Sequence, residues 1–512
     1  MSVIFVGALD DYFIKVAEEL ITLGVPVTCF LDRFDNPAKK KPIFRNVLDI
    51  DARQFLYPEG IYAINRGNDF IPDEKLLRQF LKSESVFLSI SDRFSIGLSV
   101  LERKRLFHEL LRYFYSFLQG GAYQAIIFPN APHGGWNSVL YFVAKHLGVR
   151  TLVLEYTRIN DRMVVWEDYE KVHKVPADYL AGLSREEVIG TIDTDLYREV
   201  FGTAESEWMK DSNSMNVAAL SHLTRFREGA LRAKQLMGAA VTAMHRRMTG
   251  QNTYDRRPMM LNDPQLEMLT VMRWHRAYRK YRELRSYYDR QAKKPDLSVP
   301  YVLYFLNYQP EKTTTPLGGV YEDQVLALET LAGGLPQGWR IYVKEHPRQF
   351  SGVLDSVPYR DKRFYDRIAG IPGVTLLPVN MGTQELLKSA RATATITGSI
   401  GWQGMLQGRP CILFGMSWYS PCRSCFNVKS VDDVREALAE IQRQASKDVE
   451  LDVLRYLAHA GDELLVGSNN EKFAKRSRRS LDELAERLAD GLASRLRVQD
   501  VVYEQRQPAP AA

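Results

Sequence analysis

Cysteine is scarce, with 4 residues in 512, at Cys29, Cys411, Cys422 and Cys425. A disulfide-stapled scaffold is excluded, and a reducing compartment is expected. A membrane-spanning helix needs about 18 consecutive apolar residues, and no run reaches that length. The first residues carry acid, Asp10 and Asp11, where a secretion signal needs Lys or Arg, so no leader is expected. No Gly-Lys-Ser/Thr follows a glycine loop, which excludes a P-loop. No zinc-finger spacing and no RNP-like aromatic motif occur, so nucleic acid is not an expected partner. No short-period repeat is present. Cys422 and Cys425 form a C-x-x-C pair without a second pair at metal-ligand spacing, so they read as ordinary thiols.

What is present is ordinary globular material: 45% hydrophobic, 25% charged, 11% aromatic. Wholesale disorder is thereby excluded, and at roughly 100–200 residues per domain two to four domains are expected. The net charge is only +6, but it is unevenly placed. Residues 216–290 carry 15 Lys and Arg against 6 Asp and Glu, an excess larger than that of the whole chain. Trp274, Tyr278, Tyr281 and Tyr288 fall there at helical spacing among the basic residues. The pattern predicts an amphipathic pair of helices over about 210–290. It reads either as a solvated hairpin packed by its aromatic stripe or as a surface for anionic lipid or a phosphate-bearing acceptor.

Elsewhere the periodicity alternates. Apolar runs at 2–8, 25–32, 125–130 and 149–156 read as strands, with helical patterns at 11–24 and 135–148. After a compositional break near Pro295 the alternation restarts, with strands near 299–308, 339–346, 374–379, 392–398 and 410–415. The fold class expected is α/β, two Rossmann-like domains facing a cleft with a helical insertion. The boundaries expected are 1–295, 296–465, and a C-terminal helix and disordered tail over 466–512. In open α/β sheets ligands sit at the carboxyl ends of strands, so strand-end loops are the candidate sites.

Three such loops lie in the second half. Lys344-Glu345-His346-Pro347 ends a strand and offers a charge and a donor suited to a nucleotide phosphate. Thr397-Gly398-Ser399-Ile400-Gly401-Trp402 joins a strand to a helix. Its glycines allow close backbone approach, and Thr397 and Ser399 add hydroxyls. The loop Gln309 to Gly319, with Thr314, Gly318 and Gly319, is dense in amides, hydroxyls and glycine and suits a donor sugar or a carboxylate. Glu311 within it is a candidate acid or base. In the first half His133, in a Pro-His-Gly-Gly loop, and Glu155, at a strand end, are candidate bases for an acceptor hydroxyl. No Asp-x-Asp motif beside an apolar strand points to a metal-bound nucleotide sugar, so chemistry without metal or cofactor is expected.

The ordered set Q-P-E-x-T-T, P-L-G-G-x-Y-x-D-Q, K-E-H-P, T-G-S-x-G-W, G-R-P and F-G-x-x-W-Y resembles bacterial capsule polysaccharide biosynthesis proteins, relatives of Kdo transferases. The resemblance is strongest over about 300–420 and weaker over about 125–170. It implies a GT-B glycosyltransferase of surface polysaccharide, capsule or lipopolysaccharide, with an acceptor-side first domain and a nucleotide-donor-binding second domain. The donor it implies is a CMP-sugar carrying Kdo or another ulosonic or nonulosonic acid. The acceptor would be a saccharide or a lipid-linked glycan. His346 and Pro347 match the family's CMP-contacting pair, and Gly398, Ser399 and Gly401 match its phosphate loop. Gln403 stands where many such enzymes carry Glu, and Thr313 where related transferases carry Asp. Two rival readings share the fold: a nucleotide-sugar 2-epimerase, and a non-catalytic assembly partner. The location expected is the cytoplasm, peripheral on the inner membrane through 216–290.

Overall fold

The computed structural model describes residues 2–7, 10–32, 41–56, 58–91, 98–202, 268–350, 359–461, 463–468, 470–475, 477 and 479–504, and no side chains at 268–279, 472–473 or 498–504. The first basic helix expected within 216–267 and the tail at 505–512 lie outside the described residues. No described helix is long and apolar enough to cross a membrane.

The chain divides into two units, 1–171 with 459–512, and 172–458. The first holds a sheet of β1 (Val3–Val6), β2 (Val27–Asp32), β3 (Leu48–Asp51), β4 (Ala125–Phe128), β5 (Arg150–Tyr156) and β6 (Arg162–Trp166). Their order is β6-β5-β4-β1-β2-β3, and a seventh strand, Leu464–Val466, lies outside β6. β1 to β5 run parallel; β6 and the seventh strand are each antiparallel to their neighbour. β1 and β4 are buried at every residue, as strands covered by helices on both faces must be.

The second unit holds β7 (Tyr301–Phe305), β8 (Arg340–Lys344), β9 (Val374–Leu376), β10 (Ala392–Thr395), β11 (Cys411–Leu413) and β12 (Cys425–Asn427). All pairs are parallel, in the order β12-β11-β10-β7-β8-β9. Both sheets build outward from one strand in one direction and then restart beside it in the other. The strand order therefore reverses between β1 and β4 and again between β7 and β10, and such switch points are where open α/β sheets take ligands.

The α/β class with two parallel-sheet units is as expected; the boundaries differ. The division falls at 171/172 rather than near Pro295, because the basic helix Met268–Gln291 packs on the second unit. Its Leu284 and Tyr288 are buried in that unit's core with Tyr304, Tyr365 and Val379. The C-terminal helix Leu481–Glu504 is not a separate element either. Its Leu484, Leu488, Leu492 and Leu496 recur at helical spacing and complete the first unit's core beside Phe13, Val16 and Leu20.

The stretch 41–124, unassigned from periodicity, supplies β3 and several helices, the longest Val100–Gly120. That helix begins with a reciprocal cap between Ser99 and Glu102, a pattern visible in sequence. An Asp-x-Asp does occur, Asp49-Ile50-Asp51, on β3. Asp51 accepts the Arg53 N–H at 2.9 Å and pairs with its guanidinium, so the motif caps a helical turn.

Candidate functional site

Three of the second-half loops leave adjacent strands, β8, β7 and β10, at their carboxyl ends. Two of them flank the switch point. Asn307, just past β7, ties them together. Its side-chain N–H donates to Thr397 Oγ1 at 3.0 Å, and its Oδ1 accepts from Thr395 Oγ1 at 2.8 Å and Ile396 N at 3.3 Å. Thr397 Oγ1 then donates to the Thr313 carbonyl at 2.6 Å. Gln324 holds Asn307 from the other side, accepting its N–H at 2.7 Å and donating to its carbonyl at 3.0 Å.

The β8 loop is joined to the same frame by Arg360. Its Nε donates to Glu345 Oε2 at 2.9 Å and one terminal nitrogen to the Asn307 carbonyl at 3.0 Å. The other donates to Gln309 Oε1 and, at 2.9 Å, to the Tyr359 carbonyl. Glu345 Oε2 also accepts from the Tyr365 hydroxyl at 2.8 Å, and Oε1 accepts the His346 N–H at 2.7 Å. Both members of the ion pair are fully buried. Burial and, after it, the Glu345 charge drive the Tyr365 hydroxyl well above its ordinary pKa, so it stays a donor.

The expected residues divide by what they do. Lys344 is buried at the end of β8, and its ammonium donates to the Met381 carbonyl and to Thr383 Oγ1. Burial lowers its pKa from 10.5 to about 8. His346 is half-buried, its ring near Tyr308 and its Nδ1 accepting the Arg348 N–H at 3.2 Å. Pro347 opens the helical turn Pro347–Phe350. Glu311 is half-buried, accepts from the Thr313 hydroxyl at 3.3 Å and lies 3.9 Å from Arg348. Gln309, through its amide, bridges the Glu322 carbonyl, Gln324 and Arg360.

Others are engaged in shaping the loops. The Thr314 hydroxyl closes on the Glu311 carbonyl at 2.9 Å. Gly318 has no room for a Cβ, which would fall 2.5 Å from the Thr314 carbonyl, whereas Gly319 is exposed with φ +56°. Gly398 N–H donates to Thr395 Oγ1 at 3.1 Å. Gly401 packs a short helix, Ile400–Met405, against Cys411 and Tyr419. In the Thr397–Gly401 loop the N–H groups of Thr397, Ser399 and Ile400 make no hydrogen bond among the described residues.

In the first unit, His133 follows β4, beside that sheet's switch point. Its Nδ1 lies 2.8 Å from the Ala131 carbonyl. A carbonyl only accepts, so Nδ1 is the donor in this contact. Glu155 is buried one residue before the end of β5, opposite Val164 of β6. Asp10 caps the helix Asp11–Thr22, accepting the Phe13 N–H at 3.0 Å, and accepts the Glu471 N–H at 2.8 Å. Cys411, Cys422 and Cys425 are buried free thiols.

Sequence reading gave no role to Asn307 or Arg360, and none of their own to Gln324 and Glu345, which stand within its motifs. Asn307 had a signal, a polar residue directly after an apolar strand. Arg360 had none, standing 51 residues from Gln309.

These features define an α/β unit with polar loops gathered at its switch point. Residues 241–423, which span all three loops, match the model of the family described as capsule polysaccharide biosynthesis protein. That is the family the motifs resemble. No curated protein sequence matches the chain. Among solved structures, the Methanocaldococcus jannaschii UDP-GlcNAc 2-epimerase in complex with UDP-GlcNAc and UDP is similar at 10% identity. The match covers 90% of this chain and 99% of that one, with a TM-score of 0.23. The Thermosulfurimonas dismutans KpsC beta Kdo 2,7 transferase is similar at 10% identity over 67% of this chain and 88% of that one, TM-score 0.26. The beta Kdo 2,4 transferase of the same protein is similar at 14% identity over 65% and 87%, TM-score 0.25.

Proposed function

We propose that this chain is a glycosyltransferase of capsule polysaccharide biosynthesis that takes its sugar from a nucleotide donor, with a CMP-activated ulosonic acid favoured. The observation that carries the reading is the coincidence of the family match with the three hydrogen-bonded loops at the β7–β10 switch point. The nucleotide lies across those loops. Lys344, His346 and the Ser399 N–H face its phosphate, and Pro347, Gln309 and the Gly318–Gly319 turn line the donor.

Transfer moves the bond at the anomeric carbon from phosphate oxygen to an acceptor hydroxyl oxygen. Negative charge grows on the departing phosphate, and donors already held in place stabilise it. The acceptor's proton passes to a base, His133 or Glu155. Glu311 serves as a donor-side acid or base. The acceptor is a saccharide or a lipid-linked glycan, and the basic segment 216–290 meets the anionic membrane surface that carries it. Lys280, Arg282 and Arg290 are exposed on its described part.

Calorimetric titration of CMP, CDP and UDP into the wild-type chain and His346→Ala tests the reading. Selective CMP binding that the variant loses is expected. Preference for UDP or CDP overturns the donor assignment. Binding of none of the three overturns the transferase reading, and donor turnover to an epimer without acceptor would replace it with an isomerase.

A further inference from the structure

We infer that the buried Arg360–Glu345 ion pair is a positioning device that sets nucleotide affinity; the inference rests on the donor-site reading above. Neither residue faces the ligand, and both have fully buried side chains. The pair acts through its neighbours. One guanidinium reaches Glu345 and, through its other nitrogens, Asn307 and Gln309, and so locks the loop after β8 to the loop after β7. Glu345 in turn fixes the backbone N–H of His346 at 2.7 Å.

Stability alone does not call for such a pair. Burying two charges is costly, and replacing a buried ion pair with well-packed apolar groups is often neutral or stabilising. Apolar side chains, however, cannot hold three oxygen acceptors from two loops at fixed angles. A planar guanidinium can, because its donors are set in a rigid fork, and a lysine lacks that fork. The Phe364 ring lies 4.2 Å from the Arg360 guanidinium carbon and fills the remaining side. Tyr288 braces the same point, since its hydroxyl accepts the Glu345 N–H at 3.3 Å and donates to the Leu377 carbonyl at 2.6 Å.

The test uses the full chain with Glu345→Gln and Arg360→Lys. At Glu345 one carboxylate oxygen accepts from His346 and the other from Arg360 and Tyr365. An amide of the same shape turns a donor toward one of those donors, so one link breaks. Lysine at 360 keeps the charge but cannot span Glu345 and Gln309. Each variant is titrated with CMP, CDP and UDP well below its melting temperature, and the His346 ring resonances are recorded by NMR.

The expected result is a nucleotide Kd raised about tenfold or more, with displaced His346 resonances. A folded variant with the wild-type Kd and unmoved His346 signals overturns the proposal, because the pair then only stabilises. Wild-type chain that binds none of the nucleotides overturns the donor-site reading and this inference with it. Should Glu345→Gln not fold, Tyr365→Phe, which removes one of its three hydrogen-bond donors, carries the same measurement. A smaller rise in Kd is then expected, and no rise refutes the proposal.

Discussion

Gly401 was expected to lie in a phosphate loop, and its surroundings assign it a second duty that can be measured. A Cβ at this position would fall 2.5 Å from Cys411 Sγ and 2.5 Å from Tyr419 Oη. Both neighbours are fully buried, and the Tyr419 hydroxyl is held by the Gly398 carbonyl. Neither can swing aside into open space, so Gly401→Ala must shift the short helix or strain its neighbours. Overpacking of this kind costs about 1–3 kcal/mol. For a unit of this size that is a melting temperature lower by roughly 2–12 °C.

The diagnostic step is a double-mutant cycle. Cys411→Ala removes one of the two obstructing atoms, so Gly401→Ala should cost less in that background by about 0.5 kcal/mol or more. Rescue stays partial because the tyrosine hydroxyl remains. Urea unfolding and thermal melts of the four chains give the coupling. A Gly401→Ala chain that melts like wild type, or a cost that Cys411→Ala leaves untouched, refutes the packing argument. Loss of nucleotide affinity at unchanged stability would instead make Gly401 a residue of close ligand approach.

Lys344 should respond to pH. Its folded pKa of about 8 lies below the ordinary 10.5, so between those values the unfolded chain binds a proton the folded chain has released, and this group adds stability as pH rises through that window. If its charge also faces a donor phosphate, nucleotide Kd should rise as pH passes about 8, and Lys344→Met should flatten that step in calorimetry on either side of it. The four cysteines should be inert in the native chain because all are buried; burial pushes Cys29 up to about 12 and Cys411 well above its usual value, and although Cys411 and the Lys174 charge lower Cys425, it stays out of a reagent's reach. A thiol reagent should count none before denaturant and all four after it, and early reaction of any would refute the packing around that thiol.

How far the sequence could be read follows the range of each interaction. The strand-end loops were legible because each follows a strand-like apolar run, and local alternation marks such positions. Asp10, read in the sequence as acid against a secretion signal, is shown to be a helix cap by the Phe13 N–H it accepts. The frame beneath the loops was not legible. Arg360 meets Gln309 and Glu345 only through the sheet's order, and no spacing along the chain encodes that. The domain boundaries failed for the same reason. Helical periodicity in 481–496 marks an apolar face, but not which of two cores it will cover.

That last helix has a consequence for how the chain is made. The core around Phe13, Val16 and Leu20 is closed by Leu484, Leu488, Leu492 and Leu496, with all of 172–458 between them. Translation therefore delivers the whole second unit before the first has its final wall. Units of this kind fold as they emerge, so the second unit matures first, and the strands beside Phe13 stay partly uncovered until Leu484 to Leu496 have been made. A stop codon before Leu484 therefore leaves the core around Phe13 without its last wall.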